Sequence, residues 1–158
     1  MGDGNGWVRC ACGNTHWGLH GAAGLLVTSG ERVLLQLRAG WTHNGGTWAL
    51  PGGARDSHED ALTAALREVR EETSLDVDTV TVYDEVVDEH GPWSYTTILA
   101  RAAAPTEVAG TNDESEAVRW FAVDDVATLP LHYGFAATWP VLRERLPASG
   151  TDAAGSER

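Results

Sequence analysis

The sequence predicts an α/β protein built on a mixed sheet. Three observations carry this. Apolar, β-rich runs fall at 21–39, 78–102 and 117–123. Two helical segments, 59–75 and 134–146, lie between and after them. Turn signals separate the runs, so that strands come before, between and after helices. A chain of 158 residues suits one domain with a sizeable core.

The elements follow in order. Residues 1–20 are expected to form an N-terminal arm whose Gly-rich start, "MGDGNG", is mobile. "GAAGLLVTSGERVLLQLRA" (21–39) reads as a hairpin turning at Ser29-Gly30. Residues 40–58 read as a long loop, Gly-rich and functional by its length, with a short strand near Trp48 to Leu50. "EDALTAALREVREETSL" (59–75) is the first helix, with Leu62, Ala65, Leu66 and Val69 as the stripe that docks on the sheet. Two strands, 78–89 and 93–102, turn at His90-Gly91-Pro92. "TNDESE" is an acidic loop, 117–123 a further strand, and "DDVATLPL" a short helix. The second helix, 134–146, carries Pro140, which signals a kink or a late start. The domain is expected to span 21–146 and to end in a disordered tail, 147–158.

Composition excludes several functions. A formal net charge of −12 disfavours a general grip on DNA or RNA. No apolar run approaches the roughly 18 residues of a membrane span, and no signal-peptide segment opens the chain, which together favour the cytosol. All eleven basic residues are arginine, a bias that a GC-rich genome explains as well as phosphate binding does.

The first helix poses a problem. Glu68, Glu71 and Glu72 share an arc of about 100° on one face, where like charges repel. Ala61, Ala64 and Ala65 beside them are small and read as leaving room for a ligand. A solvated acidic face is the plain alternative. The segment "GARDSHEDALTAALREVREETSL" (53–75) resembles the Nudix box, G-x5-E-x7-R-E-U-x-E-E-x-G-U, where U is aliphatic. Gly53, Glu59, Arg67, Glu68, Val69, Glu71, Glu72 and Leu75 fall in register. Ser74 departs from the pattern, which has glycine there, and puts the helix end in doubt. "WALPGG" before the box and "RWFAVDDVATLPL" after it extend the likeness across 21–146.

The resemblance implies an α/β/α Nudix sandwich with a central mixed sheet. It also implies hydrolysis of a nucleoside diphosphate linked to another group, with Mg²⁺ as cofactor and Mn²⁺ as a substitute. Glu68 and Glu72 would be the main metal ligands, Glu71 would share or bridge, and the Gly52 carbonyl would add another. Arg67 would orient a glutamate through a bidentate pair. Glu59 would brace the box. A glutamate of the acidic loop, Glu114 in preference to Glu116, would be a late metal ligand and a candidate base. Substrate contacts would come from Arg38, Trp41, His43 and His90, while Trp48 reads as core and His132 as a helix cap. The substrate would be a small nucleotide, an oxidised dGTP or a nucleotide sugar such as ADP-ribose. No nucleic acid or membrane is expected as a partner, and a homodimer is compatible with the sequence.

Two other readings stand beside the hydrolase. One is a non-catalytic nucleotide sensor, against which the retained box acids speak. The other is an RNA-decapping module, against which the charge speaks. The arm carries Cys10, Cys12, His16 and His20 as C-x-C-x3-H-x3-H. Its cysteine spacing is narrower than that of ordinary zinc knuckles, so a packed arm with reduced thiols is the favoured expectation over zinc.

Overall fold

A computed structural model describes residues 3–4, 6–9, 15–40, 45–110 and 115–147. The long apolar runs become the sheet. Strands β1 (Trp7–Arg9) and β2 (Thr15–Trp17) pair with each other, apart from the rest. The main sheet is built from β3 (Ala22–Ser29), β4 (Arg32–Arg38), β5 (Trp48–Ala49), β6 (Gly52–Ala54), β7 (Val80–His90), β8 (Trp93–Ala102) and β9 (Ser115–Ala122). Its order is β5-β4-β3-β8-β7, with β6 also on β3 and β9 also on β4. The β3–β8 pair is parallel and the others are antiparallel, so the sheet is mixed.

Every residue of β3 is buried, which requires cover on both faces. Successive side chains supply it by pointing to opposite sides. Ala23, Leu25, Val27, Leu34, Ile98 and Ala100 pack with helix α1 (Ala61–Glu72). Leu26, Val33, Leu35 and Leu99 pack with helix α2 (Tyr133–Glu144). The result is the expected α/β/α sandwich.

Local chemistry explains the element ends. Gly30, at φ 58°, makes the β3–β4 turn, and Gly91, at φ 77°, the β7–β8 turn. Asp60 caps α1 by accepting from the Thr63 amide at 2.8 Å. His132 caps α2 through Nδ1, which accepts from the Gly134 amide at 3.0 Å. The second helix starts at Tyr133 and continues through Pro140, which lies on its exposed side, so neither a late start nor a break is seen. The segment 123–128 is a 3-10 helix.

Three expectations need correction. Leu62 is exposed, and Ala64 and Ala65 are fully buried in the core instead of opening a space. The helix is rolled so that Glu68 and Glu72 turn inward over β6, whose Gly52 and Gly53 let it approach. At Ser74 the anticipated left-handed helix end is replaced. The chain leaves the helix extended at Thr73 (φ −136°, ψ 165°). The Ser74 amide then donates to Ala109 O at 2.8 Å, and the Ala109 amide to Ser74 Oγ at 2.9 Å. Lastly, Asp3 and Gly4 of the start expected to be mobile are hydrogen-bonded to residues 56 and 57.

A methyl group at Gly52 would overlap the Ala23 carbonyl oxygen and lie 2.6 Å from Gly24 Cα, both backbone atoms that cannot swing aside. Gly52→Ala is expected to lower stability by about 1–3 kcal/mol. Gly40→Ala, where nothing lies within 4 Å, should stay within about 0.5 kcal/mol of the parent. Urea midpoints of the two variants check the difference.

Candidate active site

The site begins with two glycines. A side chain at Gly53 would sit 2.6 Å from Glu68 Oε1, so the absence of one gives the Glu68 carboxylate its seat. The neighbouring Gly52 amide donates to Glu72 Oε1 at 3.1 Å. Glu68 and Glu72 are one helical turn apart, on the face of α1 that meets β6. Burial pushes the Glu68 carboxyl above the usual carboxylate range, against the opposing pull of Glu72 and Arg67.

Arg67 organises the acids through five hydrogen bonds. Its Nε and Nη2 grip Glu59 Oε2 and Oε1 at 2.7 and 2.9 Å. Nη2 also reaches the Ala54 carbonyl at 3.1 Å. Nη1 donates to Glu68 Oε2 at 2.9 Å and to Glu71 Oε2 at 3.4 Å. The bidentate pair is thus made with Glu59, and Glu68 receives a single bond. Asp56 Oδ2 stands 3.7 Å from Nη2. Hydrogen bonding by Arg67 holds the Glu59 carboxyl below its ordinary value and, in return, drives the guanidinium pKa further up.

Glu59 has a second task. Its Oε1 accepts from the Asp56 amide at 3.0 Å, while its own amide donates to the Asp56 carbonyl at 3.1 Å. That closes the turn before α1, and Glu59 braces the box as expected. Ligand atoms of Asp56, His58 and Glu59 also lie within 4.8 Å of one another. Glu59 is committed to Arg67 and Asp56 to the Gly4 amide, so these two carboxylates work as a brace.

Asp56, Glu59, Glu68 and Glu71 thus gather near one guanidinium, and Glu72 lies one helical turn beyond Glu68. The imbalance, and the hard oxygen donors of Glu68 and Glu72, fit a divalent cation of the Mg²⁺ or Mn²⁺ kind. The paired glutamates seated over backbone are the observation behind this fit.

The other candidate residues are placed unequally. Glu71 is exposed, on the outer side of Arg67. Arg38 ends β4 beside Ser115. Glu116 is exposed on β9, and His90 ends β7. Trp48 is buried against Phe121, as core. Glu114, Trp41, His43, Cys10 and Cys12 lie outside the described residues. The His16 ring is buried, stacked on Trp93 at 4.0 Å, and His20 is exposed.

Three contributors escaped the reading of the sequence as site residues. The Ala54 carbonyl and Asp56 hold Arg67. Tyr95 lies over Gly24, where a methyl group would overlap its hydroxyl. Burial, then the charge of Glu72, raise the Tyr95 phenol pKa, so this aromatic is close to the acidic face. A glycine inside the apolar strand β3 was the signal for that close approach.

Fold and site together define an α/β/α protein with an acidic helix face whose oxygen donors suit a divalent cation. A family model described as NUDIX domain matches residues 18–143, and the chain belongs to the Nudix hydrolase family. A Mycobacterium tuberculosis relative named "Putative 8-oxo-dGTP diphosphatase 3" is 47% identical over 155 residues, covering 90% of this chain and 70% of that protein. The crystal structure of RenU, a Nudix hydrolase from M. smegmatis, superposes with a TM-score of 0.84 at 46% identity, covering 94% of this chain and all of that one. A Bifidobacterium longum protein named "Nucleoside triphosphate pyrophosphatase/Nudix hydrolase fusion protein" is 38% identical over 157 residues, spanning 94% of this chain and 33% of its own length.

The brace makes a pH-dependent prediction. Hydrogen bonding by Arg67 holds the folded carboxyl of Glu59 below the ordinary glutamate value. Its contribution is therefore complete above that value and lost as pH falls through the depressed one. Glu59→Gln should cost about 1–3 kcal/mol at neutral pH. The gap to the parent should close in acid, as read from urea unfolding at a series of pH values.

Proposed function

We propose that this chain is a divalent-metal-dependent pyrophosphohydrolase of small nucleotides, with an oxidised dGTP as the favoured substrate over a nucleotide sugar such as ADP-ribose. The observation that carries the activity is the pair Glu68 and Glu72, one helical turn apart and seated on Gly53 and Gly52. The substrate preference draws on the relative named as an 8-oxo-dGTP diphosphatase and on the compact chain.

In this reading Glu68 and Glu72 hold Mg²⁺, or Mn²⁺ in its place, with Glu71 and the Gly52 carbonyl in support. The bound ion supplies charge neutralisation for the diphosphate and a water of lowered pKa. Arg67 keeps Glu68 in one rotamer and one direction. Glu114 serves as an additional ligand or as the base that takes a proton from the attacking water. Arg38, a fixed positive charge at the end of β4, meets a phosphate, and Trp41, His43 and His90 contact the nucleotide. A free nucleotide fits the chain's charge of −12 better than a nucleic acid does. No described helix is long and apolar enough to cross a membrane.

Glu72→Gln replaces a carboxylate with a poor Mg²⁺ ligand. Turnover is expected to fall by at least about 100-fold with the circular dichroism spectrum unchanged. Near-parental turnover would reject the assignment. A panel of 8-oxo-dGTP, dGTP and ADP-ribose with Mg²⁺, with products separated by mass, tests the substrate. Monophosphate and pyrophosphate from 8-oxo-dGTP are expected at the highest kcat/KM. Faster cleavage of ADP-ribose to two monophosphates would overturn the preference.

A further inference from the structure

The NUDIX model begins at residue 18 and leaves the start of the chain without a role. Yet that start touches the box. Asp3 Oδ1 accepts from the Ser57 amide at 2.8 Å, and the Ser57 hydroxyl donates to Asp3 Oδ2. The Gly4 amide donates to Asp56 Oδ1 at 3.0 Å, a contact across 52 residues. The segment is held from behind as well. The Leu19 amide donates to Gly4 O at 2.7 Å and the Gly18 amide to Gly6 O at 2.6 Å. Gly4 is wedged, because a side chain there would overlap the Arg55 carbonyl oxygen.

We propose that Asp3 and Gly4 form a strap that positions the metal-holding face of α1, acting through Asp56 on Arg67 and through Arg67 on Glu68. Asp56 is buried, with one oxygen taken by Gly4 and the other 3.7 Å from Arg67 Nη2. That nitrogen already serves Glu59 and the Ala54 carbonyl. If the Gly4 donor is lost, a buried carboxylate is left under-bonded next to a shared guanidinium. Asp56 then competes with Glu59 and Glu68 for Arg67, and Glu68 loses its fixed direction. Asp56 is thus a positioning residue, and the proposal rests on the reading of Glu68 as a metal ligand.

Two variants test it. Gly4→Ala pushes the strap off the Arg55 carbonyl, and deletion of residues 1–5 removes it outright. Both leave every site side chain in place. Amide exchange over 55–60 should speed up in both. Mn²⁺ followed by titration calorimetry should bind about 10-fold more weakly, and kcat should fall while KM moves less than about twofold. Mn²⁺ affinity within twofold of the parent in the deletion variant would overturn the strap. Failure of the parent chain itself to bind Mn²⁺ would remove the metal reading and the strap with it, so the two failures are told apart.

Discussion

The Arg67 guanidinium is the charge on which the site is built. A buried carboxylate is costly unless paired and hydrogen-bonded, and removing one partner of such a pair costs about 3–5 kcal/mol. Glu59 is almost enclosed, and both of its oxygens face Arg67. The same planar fork reaches forward to Glu68 and down to the Ala54 carbonyl. One rigid group therefore fixes the turn before the helix, the roll of the helix and the direction of the Glu68 carboxylate. A lysine, with a point charge and no fork, could not hold those bonds in one plane.

Much of this was legible because it is written in local chemistry. The box spacing placed Arg67 and Glu68 on one helix, and the resemblance to the family implied the brace role of Glu59. The turn glycines at 30 and 91 and the cap at His132 likewise depend on near neighbours. The roll of α1 was not legible. Periodicity gives the width of an apolar stripe, yet the partner surface decides which edge of it is buried. Here β6 is glycine where the helix comes closest, so Ala64, Ala65 and Glu72 went in and Leu62 stayed out. Tyr95 over Gly24 and Asp3 against Ser57 are contacts between distant parts of the chain, and no pattern within one segment announces them.

Ser74 shows how a departure from a family pattern can be absorbed. Glycine is favoured at a helix end because it accepts a left-handed backbone. With Thr73 already extended, that demand disappears, and a hydroxyl becomes useful. It bonds the Ala109 amide and so ties the helix end to the segment before β9. The Trp120 indole fastens the same segment by donating to the Thr106 carbonyl at 2.7 Å.

The parallel pairing of β3 with β8 has a consequence for how the molecule is made. The central strand leaves the ribosome well before its neighbour, and the acidic helix is synthesised between them. Until β8 arrives, an eight-residue apolar strand has one edge open, a condition that favours slow closure and association with other nascent chains. The chain's overall negative charge then acts as a guard on that interval, keeping unfinished copies apart until the sheet is closed.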